Sequence, residues 1–551
     1  MFRNKPLWML TAVFCLMLVF TGEGFANPQL ISGTPLIPPV AAGGPVPIRP
    51  ASTSVGFSLL GDQATQLPLQ EKFYVTLFNS SGMRQVTADL HYPISGDPSG
   101  HLNIYVETGV PVDRSLITSL AREFEHTIHP IINEHFGVES DIDHNNQVTL
   151  LITALDAGNI SGYFDSRNQY SNQWIANSNE REMIYINSQV LRYGSNTVLQ
   201  TLAHEFTHLV HWNYKWNYSP DNIWFAEGMA MYSGYLIGKV TGQTHYWDFN
   251  SIRAFLRSYS SVSVIDWQQR YEDYGAAYAY MIYLSEHYSP GHLRRLFQDP
   301  RSNRLEALAE HLAGYDTSLA EVLVDWAVAN AFDLPSNPYG YSDLSVGLNT
   351  SSFPKLPGSS FGLPSWVGRY WRLETGTSKD NGLSIRVSGD SGLAARLVEK
   401  LADGQVVVHK FQQAGGELQC ERAPYTLDAD VIESTLVVTS TGNQQGVSVT
   451  LGAYTPSPAD MEVRVIPDLL LPGRYTVLIK AKPGLDSSPT VQVSGRRSDQ
   501  QLSITQAWTG KGVYLTEPFA SQLIGSGPVL LEVKGHQAGR AIEVRKTLQL
   551  E

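Results

Sequence analysis

The sequence predicts an α+β domain followed by an all-β, sandwich-type region, and three observations carry that expectation. Between Ser195 and Tyr235 apolar residues recur with a helical period around two histidines. Ahead of that stretch, runs of β-branched and aromatic residues alternate with short turn-forming segments. Beyond about residue 366 the helical pattern gives way to many short strand-like runs separated by turn residues.

Taken in order, residues 1–26 have the three parts of a secretory signal. Arg3 and Lys5 form the positive end, Leu7 to Phe20 the apolar core, and Gly24-Phe25-Ala26 a small-residue cleavage site. The apolar run falls short of the roughly 20 residues a bilayer span needs. A secreted, extracellular or periplasmic protein with no membrane span is expected. Loss of two positive side chains and one negative one, Arg3, Lys5 and Glu23, takes the formal net charge from −13 to −14. An acidic chain without a basic patch is a poor partner for nucleic acid or anionic lipid. Cys15 leaves with the signal, so Cys420 has no intrachain partner and cores must supply the stability.

The 551 residues, 42% hydrophobic and 17% charged, predict three or four globular domains. Residues 27–54 begin with Pro28, Pro35, Pro38, Pro39, Pro45, Pro47 and Pro50 among Gly and Ala, and read as an extended linker or a pro-segment. Residues 55–110 read as a small β subdomain or the sheet edge of the next domain, with strands at Phe73 to Leu77, Val86 to Tyr92 and Leu102 to Val106. Helical periodicity runs from Ser115 to Ile132. Asp141-Ile142-Asp143-His144-Asn145-Asn146-Gln147 is similar to the start of a calcium (Ca2+) loop. Asn146 and Ile152 stand where the loop wants Gly and Glu, so the stretch reads as a tight turn into the strand Val148 to Thr153. A further strand, Met183 to Ile186, precedes the histidine helix.

With His204 at zero on a helical wheel, His208 lies at about +40° and His211 at about −20°, while Val198, Leu199, Leu202, Phe206, Leu209 and Val210 fall on the opposite side. Ser195 or Asn196 suits the N-cap. Two imidazoles one turn apart can share a zinc ion (Zn2+), with Glu205 placed to accept a proton from a water at the metal's open position. A third ligand is needed. His211 is some 10 Å from His204 along the axis, too far to join the pair, and reads as a packed or outer histidine. Glu227, set among Trp224, Phe225, Ala226 and Met229, would be costly to bury without a cation and is the better candidate.

The pattern His204-Glu205-x-x-His208, 18 residues, then Glu227-Gly228-x-Ala230 resembles the gluzincins, the clan of thermolysin and the zinc aminopeptidases. The resemblance implies a thermolysin-like catalytic domain binding one catalytic zinc ion, with His204, His208 and Glu227 as ligands and Glu205 as general base. It also implies an oxyanion-stabilising tyrosine at Tyr274, in a segment where Tyr271, Tyr278, Tyr280 and Tyr283 crowd together. The strand before the zinc helix would lie along the cleft and pair with substrate. Residues 70–345 are similar to the secreted bacterial hyicolysin metallopeptidases. One departure is Met231, where thermolysin-like enzymes carry an Asp that orients a zinc histidine.

These readings divide the chain into a catalytic domain over 111–350, a linker over 351–365, and two β-sandwiches over 366–455 and 456–551. The expected activity is zinc-dependent endopeptidase hydrolysis of protein or peptide substrates. A G-x-M-E-N motif for holding a free amino terminus is lacking, which disfavours a zinc aminopeptidase. The third reading, an adhesion or binding protein that keeps a zinc-peptidase fold, has no use for Glu205.

Overall fold

The computed structural model describes residues 29–38, 67–93, 100–214 and 222–549, apart from breaks at 302, 335–337, 358–359, 374–381, 403, 423–430, 455–460, 469–470, 482–484, 496–497, 509–511, 525–527 and 538–539. The secretory signal at 1–26 and all of 39–66 therefore lie outside the described residues.

A seven-stranded mixed sheet organises the first half. Its strands are β1 (Ile31–Ser32), β2 (Gln70–Thr76), β3 (Met83–Tyr92), β4 (Leu102–Glu107), β5 (Val148–Thr153), β6 (Ile160–Phe164) and β7 (Met183–Asn187), in the order β1-β6-β7-β5-β4-β3-β2. Strands β4, β5 and β7 run parallel, and every residue of β5 and β7 is buried, as expected where both faces of a sheet are covered. Side chains alternate between two cores. Leu102, Ile104, Leu150, Ile152, Ile184 and Ile186 face the helices, while Tyr105, Leu151, Met183 and Tyr185 join Phe73, Val75 and Val86 on the other side.

Of the two readings of residues 55–110, the strands between 70 and 107 follow the sheet edge and form no separate subdomain, because β4 pairs with β5 and shares both of its cores. One expectation changes. The strand Met183 to Ile186 is not at the edge beside the cleft. It pairs with β5 on one side and β6 on the other, so β6 separates it from the cleft and β6's outer edge carries β1.

The helices are α1 (Arg114–Glu123), α2 (His129–Phe136), α3 (Ser195–Tyr214), α4 (Ile223–Thr241), α5 (Asn250–Arg257), α6 (Tyr271–Tyr288), α7 (Pro290–Gln298), α8 (Arg304–Ala313) and α9 (Leu319–Phe332). A wider π turn, Phe124–Ile128, joins α1 to α2, so the helical path outlasts the expected end at Ile132. Helix α3 is buried from Val198 to Trp212 apart from Gln200. Close approach of α6 to α5 depends on Gly275, where a Cβ would stand 1.9 Å from the Ser251 carbonyl oxygen.

The second half is all β. Strands 361–363, 382–388, 412–414, 417–422 and 444–454 form one sheet and 369–372, 393–401, 406–410 and 431–440 another, with Trp371, Ile385, Leu397, Leu436 and Val447 in the core between them. A further pair of sheets over 461–549 closes on its own core of Val463, Val477, Ile479, Val491, Leu531 and Val533. The first pair is fastened to the helical unit. Val324, Ala327, Val328 and Ala331 of α9 pack on Tyr370, Ala394, Val398 and Val437. Within this apolar seam the fully buried Arg396 donates to Asp325 at 2.7 Å and to Glu321 at 2.6 Å. A guanidinium taken out of water needs such partners.

Candidate metal centre

One turn of α3 brings the Nε2 atoms of His204 and His208 to 3.1 Å from each other. Helix α4 delivers Glu227 opposite them, with Oε2 at 3.2 Å from His204 Nε2 and Oε1 at 3.1 Å from His208 Nε2. Tetrahedral zinc with bonds of roughly 2.0–2.1 Å would hold its donors roughly 3.3–3.4 Å apart, so the observed separations fit a small divalent ion. The donor chemistry agrees with this fit. Glu227 is wholly buried beside Trp224, Phe225 and Met229, where an unneutralised carboxylate would be costly. Burial pushes its acid up, but the two imidazoles facing it outweigh burial and hold it well below the usual carboxylate range.

Among the described residues two groups of side chains could hold a metal ion, and this is one of them. His211, the rival third ligand, is not in the group. It is buried one turn further along, with its ring 4.6 Å from that of Phe297 and 5.8 Å from that of Phe225.

Glu205 points to the other side of α3's histidine face, towards β6, and is also sealed from solvent. Gly162 of β6 permits this. A Cβ there would meet the Tyr185 carbonyl oxygen at 2.6 Å and Glu205 Cγ at 3.3 Å. Burial raises the acid of Glu205 above its ordinary range, against the pull of His204 and His208. Its Oε2 accepts a hydrogen bond from Thr34 Oγ1 at 2.9 Å, and Thr34 Oγ1 in turn accepts from the Phe164 amide at 2.9 Å.

Thr34 belongs to the short segment at 29–38, which lies across the site. Ile31–Ser32 pairs in parallel with β6, and the Ser32 carbonyl accepts from the Tyr274 hydroxyl at 3.2 Å. On one side of the segment is a cavity of about 430 Å³ lined by Ser32, His204, Met231, Tyr271, Tyr274 and Tyr278. Beyond Thr34 is a second of about 170 Å³, lined by Thr34 to Pro38, His208, His211 and Trp212. The segment thus runs from one hollow to the other past Glu205.

The tyrosine cluster is now divided by position. Tyr274 shares a cavity with His204 and has Trp267 against its ring at 4.7 Å, while Tyr280 packs on Trp326 and Tyr283 donates to the Pro338 carbonyl. Thr34 escaped the sequence reading, because it sits in a proline-rich run with no chemical signature. Gly162-Tyr163-Phe164, read as a turn from the sequence, is part of strand β6, and the place of Gly162 beside Glu205 was not foreseen.

No family model matches this chain. A solved structure of a DUF4785 family protein from Legionella pneumophila is 10% identical, with a TM-score of 0.16 over 40% of this chain and 70% of that one, a likeness that carries no argument about the fold. Among curated proteins, the neutral metalloprotease ShpI of Staphylococcus hyicus is 26% identical over 276 residues, an alignment that takes in 45% of this chain and 60% of the length of that relative.

Proposed function

We propose that this protein is a secreted, zinc-dependent metalloendopeptidase of the gluzincin type, with a thermolysin-like catalytic unit. The observation that carries the reading is the set of His204, His208 and Glu227 donors gathered within 4.8 Å of one another, with Glu205 buried next to them. Similarity to a neutral metalloprotease supports it, as does the apolar, small-residue pattern of residues 1–26.

His204, His208 and Glu227 would hold the ion. When bound, zinc supplies Lewis-acid chemistry, polarising a carbonyl oxygen and lowering the pKa of water towards about 7. Glu205 takes the proton of the attacking water and hands it to the leaving amine nitrogen, two transfers that suit a carboxylate whose burial has raised its affinity for protons. The Tyr274 hydroxyl, lining the same cavity as His204, donates to the oxygen that gains charge as the peptide carbon becomes tetrahedral. The outer edge of β6, where β1 now pairs, offers backbone groups to an extended substrate.

Zinc content and casein hydrolysis, measured before and after chelation and again after zinc is restored, test the reading. Activity that follows zinc supports it. A protein that holds zinc and never cleaves casein or a peptide library is instead a binding protein on a peptidase-like fold.

A further inference from the structure

The parallel pairing of β5 with β7 brings together two segments far apart in sequence. The 141–147 turn leads into β5, Glu182 immediately precedes β7, and the Thr149 amide donates to the Glu182 carbonyl at 2.8 Å, so both lie at the same end of the sheet. One carboxylate oxygen each from Asp141, Asp143 and Glu182 lies within 4.8 Å of the other two. Glu182 is 1% exposed. Its Oε1 accepts from the Ile142 amide at 2.7 Å, which folds the turn onto it, while its Oε2 is buried without any hydrogen-bond partner. A buried carboxylate oxygen left so is costly unless a cation meets it.

We infer that Asp141, Asp143 and Glu182 form a binding site for a hard divalent cation, calcium, apart from the zinc centre. All three donors are carboxylate oxygens, the preference of calcium, whereas the imidazole-rich centre suits zinc. Both departures from a calcium loop seen in the sequence are answered by the fold. Asn146 takes φ of +55°, the left-handed backbone that the missing glycine would adopt, and Asn tolerates it. Glu182, just ahead of β7, brings the carboxylate that Ile152 cannot.

The turn is already shaped for this. Asp141 Oδ1 accepts from the amides of Asn145 and Asn146 at 3.0 Å each, Asn145 Nδ2 donates to Asp143 Oδ2 at 2.8 Å, and the Gln147 amide donates to Asn145 Oδ1 at 2.6 Å. The neighbouring cation, Arg181, is engaged elsewhere, donating to Glu71 at 2.6 Å. With no cation bound, burial pushes the Glu182 acid up to about 8, and Asp143 nearby adds to the rise.

The test is calcium titration of the full chain with zinc saturating, read by calorimetry and by melting temperature. We expect one calcium per chain, with a dissociation constant in or below the 10⁻⁴–10⁻³ M range of extracellular modules. Glu182→Gln and Asp143→Asn should each weaken binding at least tenfold. Asp143 is exposed, so Asp143→Asn keeps the test alive should Glu182→Gln fold poorly. Glu205→Gln should bind calcium like the parent, which separates this site from the peptidase reading. No saturable binding up to about 10 mM calcium, or unchanged binding in both site variants, overturns the inference.

Discussion

Glu227 and Glu182 are both sealed from solvent, at 0% and 1% exposure, yet their acids move in opposite directions. Two imidazoles face Glu227 and hold it ionised against burial, whereas burial pushes Glu182 up to about 8, with Asp143 adding to the rise and no side-chain cation among the described residues to reverse it. Burial raises any carboxylic acid, and the groups opposite decide whether it stays up. A carboxylate faced by two nitrogen donors makes up the three-donor set of a candidate metal site. One buried beside carboxylates keeps its proton to higher pH unless a cation meets it.

The largest effect is expected at the zinc end of this comparison. Glu227→Ala removes one of three donors and should abolish detectable zinc retention and peptide hydrolysis, a greater loss than the roughly 10–100-fold that outer partners of a metal site carry. His211→Ala, in the same assays, should stay within a few-fold of the parent. The reverse ranking would make Glu227 merely an ion-pair partner of the histidines.

Next in size is Glu205→Gln, which leaves all three donors in place. Zinc content should be unchanged and kcat should fall by roughly 10²–10⁴, the usual weight of a positioned acid-base group. Tyr274→Phe follows, with kcat and kcat/KM reduced together by about 10²–10³ if the phenol serves only the developing oxyanion. A value within a few-fold of the parent would leave Tyr274 as a packing residue against Trp267.

The smallest effect is the one that sharpens the comparison most. An acid whose folded-state pKa is raised from an ordinary 4.5 to about 8 keeps its proton in the folded chain while the unfolded chain loses it. Stability of the calcium-free protein should therefore fall as pH rises from about 4.5 to about 8. Glu182→Gln should flatten that decline and raise the melting temperature at pH 8 by a few degrees, while saturating calcium should do the same for the parent. Identical pH profiles for parent and variant would show that Glu182 is already paid for by its protein surroundings.

What could be read from the sequence follows from how local the signal is. His204, Glu205, His208 and Glu227 were legible because helical spacing and an apolar frame are local properties. The strands Leu102–Glu107 and Val148–Thr153 were legible for the same reason. Leu393–Leu401 was not, since its Ala, Leu, Glu and Lys suit a helix, and it is a strand because partners flank it on both sides. In that setting Arg396 reaches Asp325 on α9 while Glu399, of opposite parity, meets Arg422. Glu182 and Thr34 were hidden by distance, as each acts on residues about 40 and 171 positions away.

The threonine that donates to Glu205 belongs to the same polypeptide as the cleft it crosses, which makes its attachment a unimolecular event. A covalently tethered ligand acts at an effective concentration on the order of millimolar, whatever the protein concentration in the tube. On the peptidase reading proposed above, peptides supplied at micromolar levels would meet a competitor that dilution cannot remove. The intact chain should show an apparent KM well above that of a chain lacking residues 29–38, with the ratio constant across enzyme dilutions. Equal KM values would mean that the β6 edge releases β1 without cost.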